Sequence, residues 1–144
     1  MKYLTATIGF SLGLSCILAG CAELAYNDLG KMEYEAKCAS CHGMSGKGDG
    51  PQSLILPKKP ANLTTLAKRN NGIFPAGHVQ EIIDGRYELA AHGPRAMPIW
   101  GREFELDMPD LPKEDAARFH ERETSIHNKI QALVDYLRRL QDGR

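Results

Sequence analysis

The sequence has few cysteines, and only one pair of them lies close together. Cys38 and Cys41 frame the stretch CASCH at residues 38–42, whereas Cys16 and Cys21 lie near the beginning of the chain. A zinc site built on one Cys-x-x-Cys normally needs a second pair of Cys or His ligands at recognisable spacing, and none follows. A thioredoxin-type pair is expected in a βαβ context, and the flanking residues show no strand. Both types of site are therefore disfavoured for CASCH.

The sequence also lacks an excess of charge, a phosphate-binding motif and a rich supply of aromatic residues. Its 18 basic and 18 acidic residues cancel, so no nucleic-acid partner is suggested. The stretch GMSGKGDGP at residues 43–51 reads as a loop, and it does not contain the GxxxxGK[ST] pattern. Aromatic residues make up 7% of this 144-residue chain, which predicts one domain with a thin core. A buried apolar cofactor would supply the apolar surface that such a thin core lacks.

The spacing within CASCH indicates what that cofactor is. On a helical turn, positions i, i+3 and i+4 share one face, so Cys38, Cys41 and His42 would point at one object. Cys-x-x-Cys-His is the attachment pattern of c-type haem, in which each thiol adds to a vinyl group and the imidazole binds the iron. We therefore predict one covalent haem c on these three residues. A chance occurrence of the pattern is the remaining alternative.

The beginning of the chain has the pattern of an exported protein. After Lys2, no charged residue occurs until Glu23, and the apolar run ends in small residues, as in a secretory signal peptide. The run closes with LAGC at residues 18–21, which resembles the lipobox of bacterial lipoproteins, where cleavage before the cysteine exposes it to acylation. An uncleaved membrane anchor is the alternative, although the run is at the short limit for spanning.

This pattern divides the chain into three parts and predicts its location. We expect a signal peptide of lipoprotein type at residues 1–20, an anchor or linker at 21–27 with lipid on Cys21, and a haem domain at 28–144. The mature protein would be exported to the periplasmic side and held at the membrane by its lipid. By resemblance to other lipoproteins, Ala22 after that cysteine hints at the outer membrane. No cysteine is then left for a structural disulfide.

Two segments predict helices at the two ends of this domain. The first runs from Asn27 to about Cys41 and contains Gly30. A glycine within a helix costs about 1 kcal/mol relative to alanine, so it usually marks the close approach of another backbone. The last helix is expected to begin near Thr124 or Ser125, after a polar excursion over residues 101–124. Its apolar residues follow helical spacing: Ile126, Ile130, Leu133, Leu137 and Leu140.

The two segments together resemble class I cytochromes c. In that family a Gly, an aromatic four residues on and the first haem cysteine four further lie on a helix. This helix crosses a C-terminal helix that carries a Leu and an aromatic three residues apart. Gly30, Tyr34, Cys38, Leu133 and Tyr136 match this pattern. The resemblance implies a mostly α fold, with three to five helices wrapped around one covalently bound haem and the N- and C-terminal helices crossing.

The same resemblance implies further site residues. Pro51 matches the proline whose carbonyl accepts the N–H of the proximal imidazole, and such a bond fixes ring orientation. Met97, which precedes Pro98, matches the distal iron ligand. Arg95 and Trp100 offer N–H groups that could bind haem propionates, or they are a solvent-facing and a packing residue. The main competitor for the distal position is His92, and the weaker candidates are His78, Met44 and Met108.

These assignments predict a function in electron transfer. An iron with two protein ligands has no open position for a substrate, and Met/His ligation raises the reduction potential relative to bis-His ligation. We expect a single-electron carrier, not an enzyme, which serves redox partner proteins and has no small-molecule substrate. Two alternatives stay open. One is a haem enzyme or gas sensor with His92 or Arg95 as distal groups, and the other is a cytochrome subunit docked on an oxidase or dehydrogenase. Lys58 and Lys59 could meet an acidic partner or simply face solvent.

Overall fold

The computed structural model describes residues 29–86, 97–108 and 116–142, and this part of the chain is mostly helical without a β-strand. The mostly α fold expected from the sequence is confirmed to that extent. Two 3-10 turns span Pro51–Leu54 and Leu63–Thr65. The α-helices, in chain order, are α1 (29–37), α2 (Ala39–His42), α3 (Leu66–Arg69), α4 (Ala76–Asp84), α5 (Trp100–Leu106) and α6 (Ala116–Arg139).

Helix α1 crosses α6 at Gly30, as the sequence predicts. A Cβ atom on Gly30 would collide with the carbonyl oxygen of Ala132 and lie 3.1 Å from Cβ of Tyr136. One turn further along α1, the ring of Tyr34 packs on that of Tyr136, with centroids 5.1 Å apart. The missing side chain of Gly30 therefore lets the two backbones touch, and the predicted crossing of the two helices is confirmed.

The core lies between α6 and the three helices α1, α4 and α5. Ile126, Ile130, Leu133 and Val134 of α6 are all at most 1% exposed. They pack with residues of the facing helices: Tyr34 from α1, Val79 and Ile83 from α4, and Phe104 from α5. Burial of each such side chain contributes roughly 1.5 to 3 kcal/mol, so the apolar stripe of α6 holds the other helices in place.

Helix α6 begins earlier than the sequence predicts. The expected start near Thr124 or Ser125 is wrong, because the helix already includes Ala116. The hydroxyl of Thr124 donates to the carbonyl of His120, 2.8 Å away and one turn back, so Thr124 lies within the helix and does not cap it. Residues 116–121 are all exposed, and an exposed turn has no apolar periodicity from which to predict it.

The predicted signal peptide, the predicted anchor and two of the predicted site residues lie outside the described residues. The first two fall within residues 1–28, which include Cys21, and the two site residues are His92 and Arg95. Within the described part of the chain, no helix is both long and apolar enough to cross a membrane.

Candidate haem site

The predicted attachment residues lie on one short helix and line one cleft. Cys38 occupies the N-cap of α2, and its carbonyl accepts hydrogen bonds from the backbone N–H groups of Cys41, at 3.2 Å, and His42, at 2.8 Å. This single turn places both thiols and the imidazole on the wall of a cleft of about 260 Å³. Both thiols are free. The shared face predicted from the spacing of CASCH is present.

The rest of the cleft comes from two other segments of the chain. Leu56, Pro60 and Ala61 come from the stretch before α3, and Met97 and Trp100 come from the residues at the start of α5. Ligand sites are typically concave, mostly apolar clefts with a few polar groups at chosen positions, which describes this one. Three lysines, Lys37, Lys58 and Lys59, also line it.

A backbone carbonyl holds the imidazole of His42. Its Nδ1 lies 3.0 Å from the carbonyl oxygen of Ala61, so in the tautomer with the proton on Nδ1 this nitrogen donates to Ala61. That tautomer leaves the Nε2 lone pair for a metal ion, an arrangement typical of ligating histidines. Burial lowers the pKa of His42, and the Ala61 hydrogen bond only partly opposes this. The imidazole is therefore neutral at neutral pH, which is the form that binds metal.

The residue that supplies this carbonyl differs from the one expected. The sequence assigned the role to Pro51, but Pro51 is exposed and begins a 3-10 turn outside the cleft lining. The glycine-rich loop after α2 folds straight back, because Gly48 N–H donates to the carbonyl of His42 and Gly50 N–H to that of Cys41. Pro51 is thereby placed beside the end of α2, and in this structure Ala61 takes its role.

The position of Ala61 is fixed by its neighbours. The side chain of Asn62 accepts a hydrogen bond from the backbone N–H of Thr64 at 2.9 Å, and so caps the second 3-10 turn. A Cβ atom on Gly48, whose φ is +77°, would collide with the carbonyl of Pro60. The glycine at position 48 and the helix-capping residue Asn62 are the two features of the sequence that could have pointed to this segment.

The residues after α6 close this turn from the other side. Gln141 Nε2 donates to the carbonyl of Leu63 at 2.8 Å, and its Oε1 accepts from the backbone N–H of Ala67 at 2.9 Å. Asp142 N–H donates to the carbonyl of Thr64, also at 2.8 Å. The turn that follows Ala61 is therefore held both by the Asn62 cap and by the residues that follow α6.

Met97 and Trp100 lie in the same cleft as His42. Both are partly buried and pack against the core, and the ring of Trp100 lies 6.3 Å from that of Phe104, measured between centroids. The Met97 thioether is thus in the cavity that the attachment residues line. This placement puts Met97 in the cavity where its predicted role requires it.

The other methionines and His78 lie elsewhere. His78 is exposed on α4, with Nδ1 3.9 Å from a carboxylate oxygen of Glu81, and it does not line the cleft. Met44 is 64% exposed and lines a separate surface depression, and Met108 packs against the core.

The thiol of Cys38 is unlike that of a dithiol redox enzyme. Burial, followed by the nearby negative charge of Glu33, raises the pKa of Cys38 to about 12. Reactive cysteines in Cys-x-x-Cys redox motifs have lowered pKa values instead. No group of three or more His, Cys, Asp or Glu side chains able to hold a metal ion occurs among the described residues. The raised pKa of Cys38 goes against the thioredoxin alternative.

The donor set fits a haem bonded through thioethers. Two thiols and an adjacent imidazole face an apolar cleft that also contains a thioether, and these are the groups that covalent attachment and His/Met ligation require. Cys38 and Cys41 would form the thioether bonds, and His42 would bind the iron. Trp100 could bind a propionate through its indole N–H.

The fold and this cleft define the class of protein, a c-type cytochrome domain. A family model described as "Cytochrome C oxidase, cbb3-type, subunit III" matches residues 26–113, which is more than half of the chain. The chain therefore belongs to this family. No curated protein and no solved structure matches it.

Proposed function

We propose that the protein is a single-electron carrier with one haem c attached through Cys38 and Cys41, and with His42 and Met97 as axial ligands. The observation that carries this proposal is that all four side chains line one cleft. When bound, the haem supplies a reversible one-electron couple. With both axial positions filled by protein, a substrate has no place at the iron, which favours transfer of electrons over catalysis.

The side chains around the cleft suit that task. The Ala61 carbonyl orients the His42 imidazole, and burial keeps it neutral and ready to bind. The soft thioether of Met97 favours the reduced state of the iron relative to a second imidazole. Leu56, Pro60 and Trp100 give the cleft apolar walls that exclude water. The protein would therefore have a higher reduction potential than a bis-histidine relative.

The partners are proposed to be redox proteins that meet the cleft. Lys58 and Lys59 are exposed and belong to the cleft lining, so they place positive charge beside it. Complementary charge speeds encounter and orients partners, which fits an acidic surface on the donor or the acceptor. A second candidate function has support from the family match, whose description is that of an oxidase subunit. In that case the same site would serve one permanently docked oxidase.

We also propose that the protein is exported and held on the periplasmic side of a membrane by lipid on Cys21. The support is the apolar run without charge between Lys2 and Glu23 and its LAGC ending. Stable anchoring takes more than one acyl chain, and lipoproteins carry several.

Optical spectroscopy of the purified mature protein tests the axial ligands. A thioether on ferric haem gives a weak near-infrared charge-transfer band that nitrogen ligands do not. The wild-type protein should show this band, and Met97→Ala should lose it, bind cyanide readily and have a lower reduction potential. Met44→Ala is the matched control, because Met44 is exposed outside the cleft, and it should keep the band.

His92→Ala separates the two candidate distal ligands. This variant should keep the near-infrared band and the wild-type potential. If His92→Ala changes the ligation and Met97→Ala does not, the iron is bis-histidine and the high-potential carrier is excluded. If ferric wild-type protein binds cyanide as readily as Met97→Ala, the distal position is open and a haem enzyme or gas sensor is the better assignment. Purification in gentle detergent tests the second function, since a docked subunit would co-elute with an oxidase.

A further inference from the structure

Arg86 joins three parts of the fold at one point outside the cleft. Its Nε donates to Oδ1 of Asp84 at 2.6 Å, and its Nη2 donates to Oδ2 of the same carboxylate at 3.1 Å. Its Nη1 lies 2.9 Å from each carboxylate oxygen of Glu123 on α6. Arginine's planar fork suits carboxylates better than a lysine ammonium does, because it can donate several hydrogen bonds in fixed directions. We call these three side chains the Arg86 cluster.

The start of α5 packs directly on the Arg86 cluster. A Cβ atom on Gly101 would collide with Oδ1 of Asp84 and lie 2.6 Å from Nε of Arg86. Residue 86 is where the chain leaves α4 through Gly85, whose φ of +63° ends that helix. The cluster therefore joins the end of α4 to the start of α5. Met97 precedes this start, four residues before Gly101.

The Arg86 cluster is shielded from water. The side chains of Arg86, Asp84 and Glu123 are 19%, 14% and 32% exposed. Burial acts to raise the pKa of Asp84, but the hydrogen bond from Arg86 holds it below its ordinary value. The carboxylate and the guanidinium are thus both charged at neutral pH. Removing the cation would leave two carboxylates facing each other with little solvent, which is costly.

We propose that Arg86 is a positioning residue for Met97, because it holds the start of α5, from which Met97 reaches the cleft. The inference rests on the proposed function, because it concerns the ligand that Met97 supplies. Residues that lead into a fixed helix end sample fewer conformations than residues that lead into an end that is free to shift. Loss of the Arg86 cluster should therefore let Met97 leave the cleft more often.

The test compares how fast cyanide binds to the ferric haem protein, since Met97 must move aside before cyanide can enter. Arg86→Gln should bind cyanide about tenfold faster than wild type, because losing a charged, partly buried hydrogen-bond partner shifts an opening equilibrium by about that factor. Its near-infrared thioether band should weaken and its reduction potential should fall. Arg86→Lys, which keeps the charge but not the fork, should show a smaller effect.

Two further variants separate positioning from general stability. Glu123→Gln removes one charge with little change in shape, so it provides the test if Arg86→Gln fails to assemble with haem. Gln131→Ala is the matched control, because Gln131 donates to Oε1 of Gln80 at 2.6 Å and links the same helices, α4 and α6, away from the Arg86 cluster. It should lower the melting temperature and leave cyanide binding unchanged.

Three results would overturn the inference. In the first, Arg86→Gln and Glu123→Gln keep wild-type cyanide rates, band and potential. In the second, Gln131→Ala also binds cyanide faster, and the increase in rate matches the drop in melting temperature in all variants, so that the effect is one of stability alone. In the third, the wild-type protein lacks the thioether band, which removes the Met97 ligation of the proposed function as well. The first two results leave that function intact.

Discussion

The imidazole of His42 owes its position to two stretches of backbone, one distant in the sequence and one adjacent to it. One is the Ala61 carbonyl, and another is the loop at Gly43, which directly follows the histidine. Tyr34 reaches from α1 to this loop, and its hydroxyl donates to the carbonyl of Gly43 at 2.6 Å. Burial is the main cause that raises the pKa of Tyr34 well above its ordinary value, so the phenol remains a neutral donor.

Replacing Tyr34 by Phe should lower the free energy of unfolding by about 1 kcal/mol, the usual net value of a hydrogen bond. The loss should not be larger, because the Gly43 carbonyl also accepts from the backbone N–H of Gly46 at 3.1 Å. Denaturant unfolding of the haem protein measures the change, and the absorption spectrum should stay that of wild type. Equal stability of the two proteins would show that this bond contributes nothing net.

Serine at Cys38 or Cys41 should cripple covalent haem attachment, because each thioether bond needs its own sulfur. A denaturing gel stained for haem peroxidase activity measures it, and the double variant should give no stained band. A suitable control is Ser40→Ala, which changes one of the two residues between the cysteines and leaves both thiols in place. Undiminished staining of the double variant would contradict a c-type attachment.

At the scale of helices, the crossing of α1 and α6 depends on the missing side chain of Gly30. Gly30→Val should destabilise the protein by about 1 to 3 kcal/mol, because its Cβ would meet the backbone carbonyl of Ala132, which cannot turn away as a side chain would. Thermal or denaturant unfolding measures the change. An unaltered melting curve would mean that the helices tolerate separation at this point.

Gly77→Ala is the control for that prediction. Gly77 also lies in a helix, α4, but a Cβ atom there would meet nothing within 4 Å. Alanine loses less conformational entropy than glycine when a helix forms, so this substitution should stabilise the protein by up to about 1 kcal/mol. Opposite signs at the two glycines would separate steric contact from helix propensity.

The elements that the sequence predicts well are those marked by local chemistry. The helix crossing at Gly30 is the example, because the close approach of two backbones at that point requires a residue without a side chain. The start of α6 was missed, because its first turns are exposed and carry no apolar period. The sequence also pointed to Pro51, and not to Ala61, as the residue whose carbonyl accepts from His42, for another reason. Spacing along a glycine-rich loop does not say which later carbonyl will reach the imidazole.

At the scale of the whole molecule, the haem domain and the proposed lipid anchor use different residues. The cleft is built by residues between Lys37 and Trp100, whereas Cys21 belongs to the predicted anchor at residues 21–27. Attachment to a membrane should therefore be removable without changing the haem site. An anchored carrier would search for its partners in two dimensions near the membrane surface.

The mature protein should fractionate with membranes through acyl chains on Cys21, and Cys21→Ser should release it or trap it as precursor. Cell fractionation with haem staining measures the distribution. The absorption spectrum of any released Cys21→Ser protein should match wild type, which controls for misfolding. A wild-type N-terminus found by mass spectrometry to be unmodified and downstream of Cys21 would contradict the anchor.

The contacts that Gln141 and Asp142 make with the turn beneath His42 affect when this site can form. The hydroxyl of Thr64 bonds to the carboxylate of Asp142 at 2.7 Å, across a separation of 78 residues. Contacts so distant in sequence form late in folding, since a long loop must close before they stabilise anything. CASCH is therefore made long before the residues that fix its support. Until those contacts form, the CASCH turn lacks this support, and its thiols would be accessible for attachment of the proposed haem.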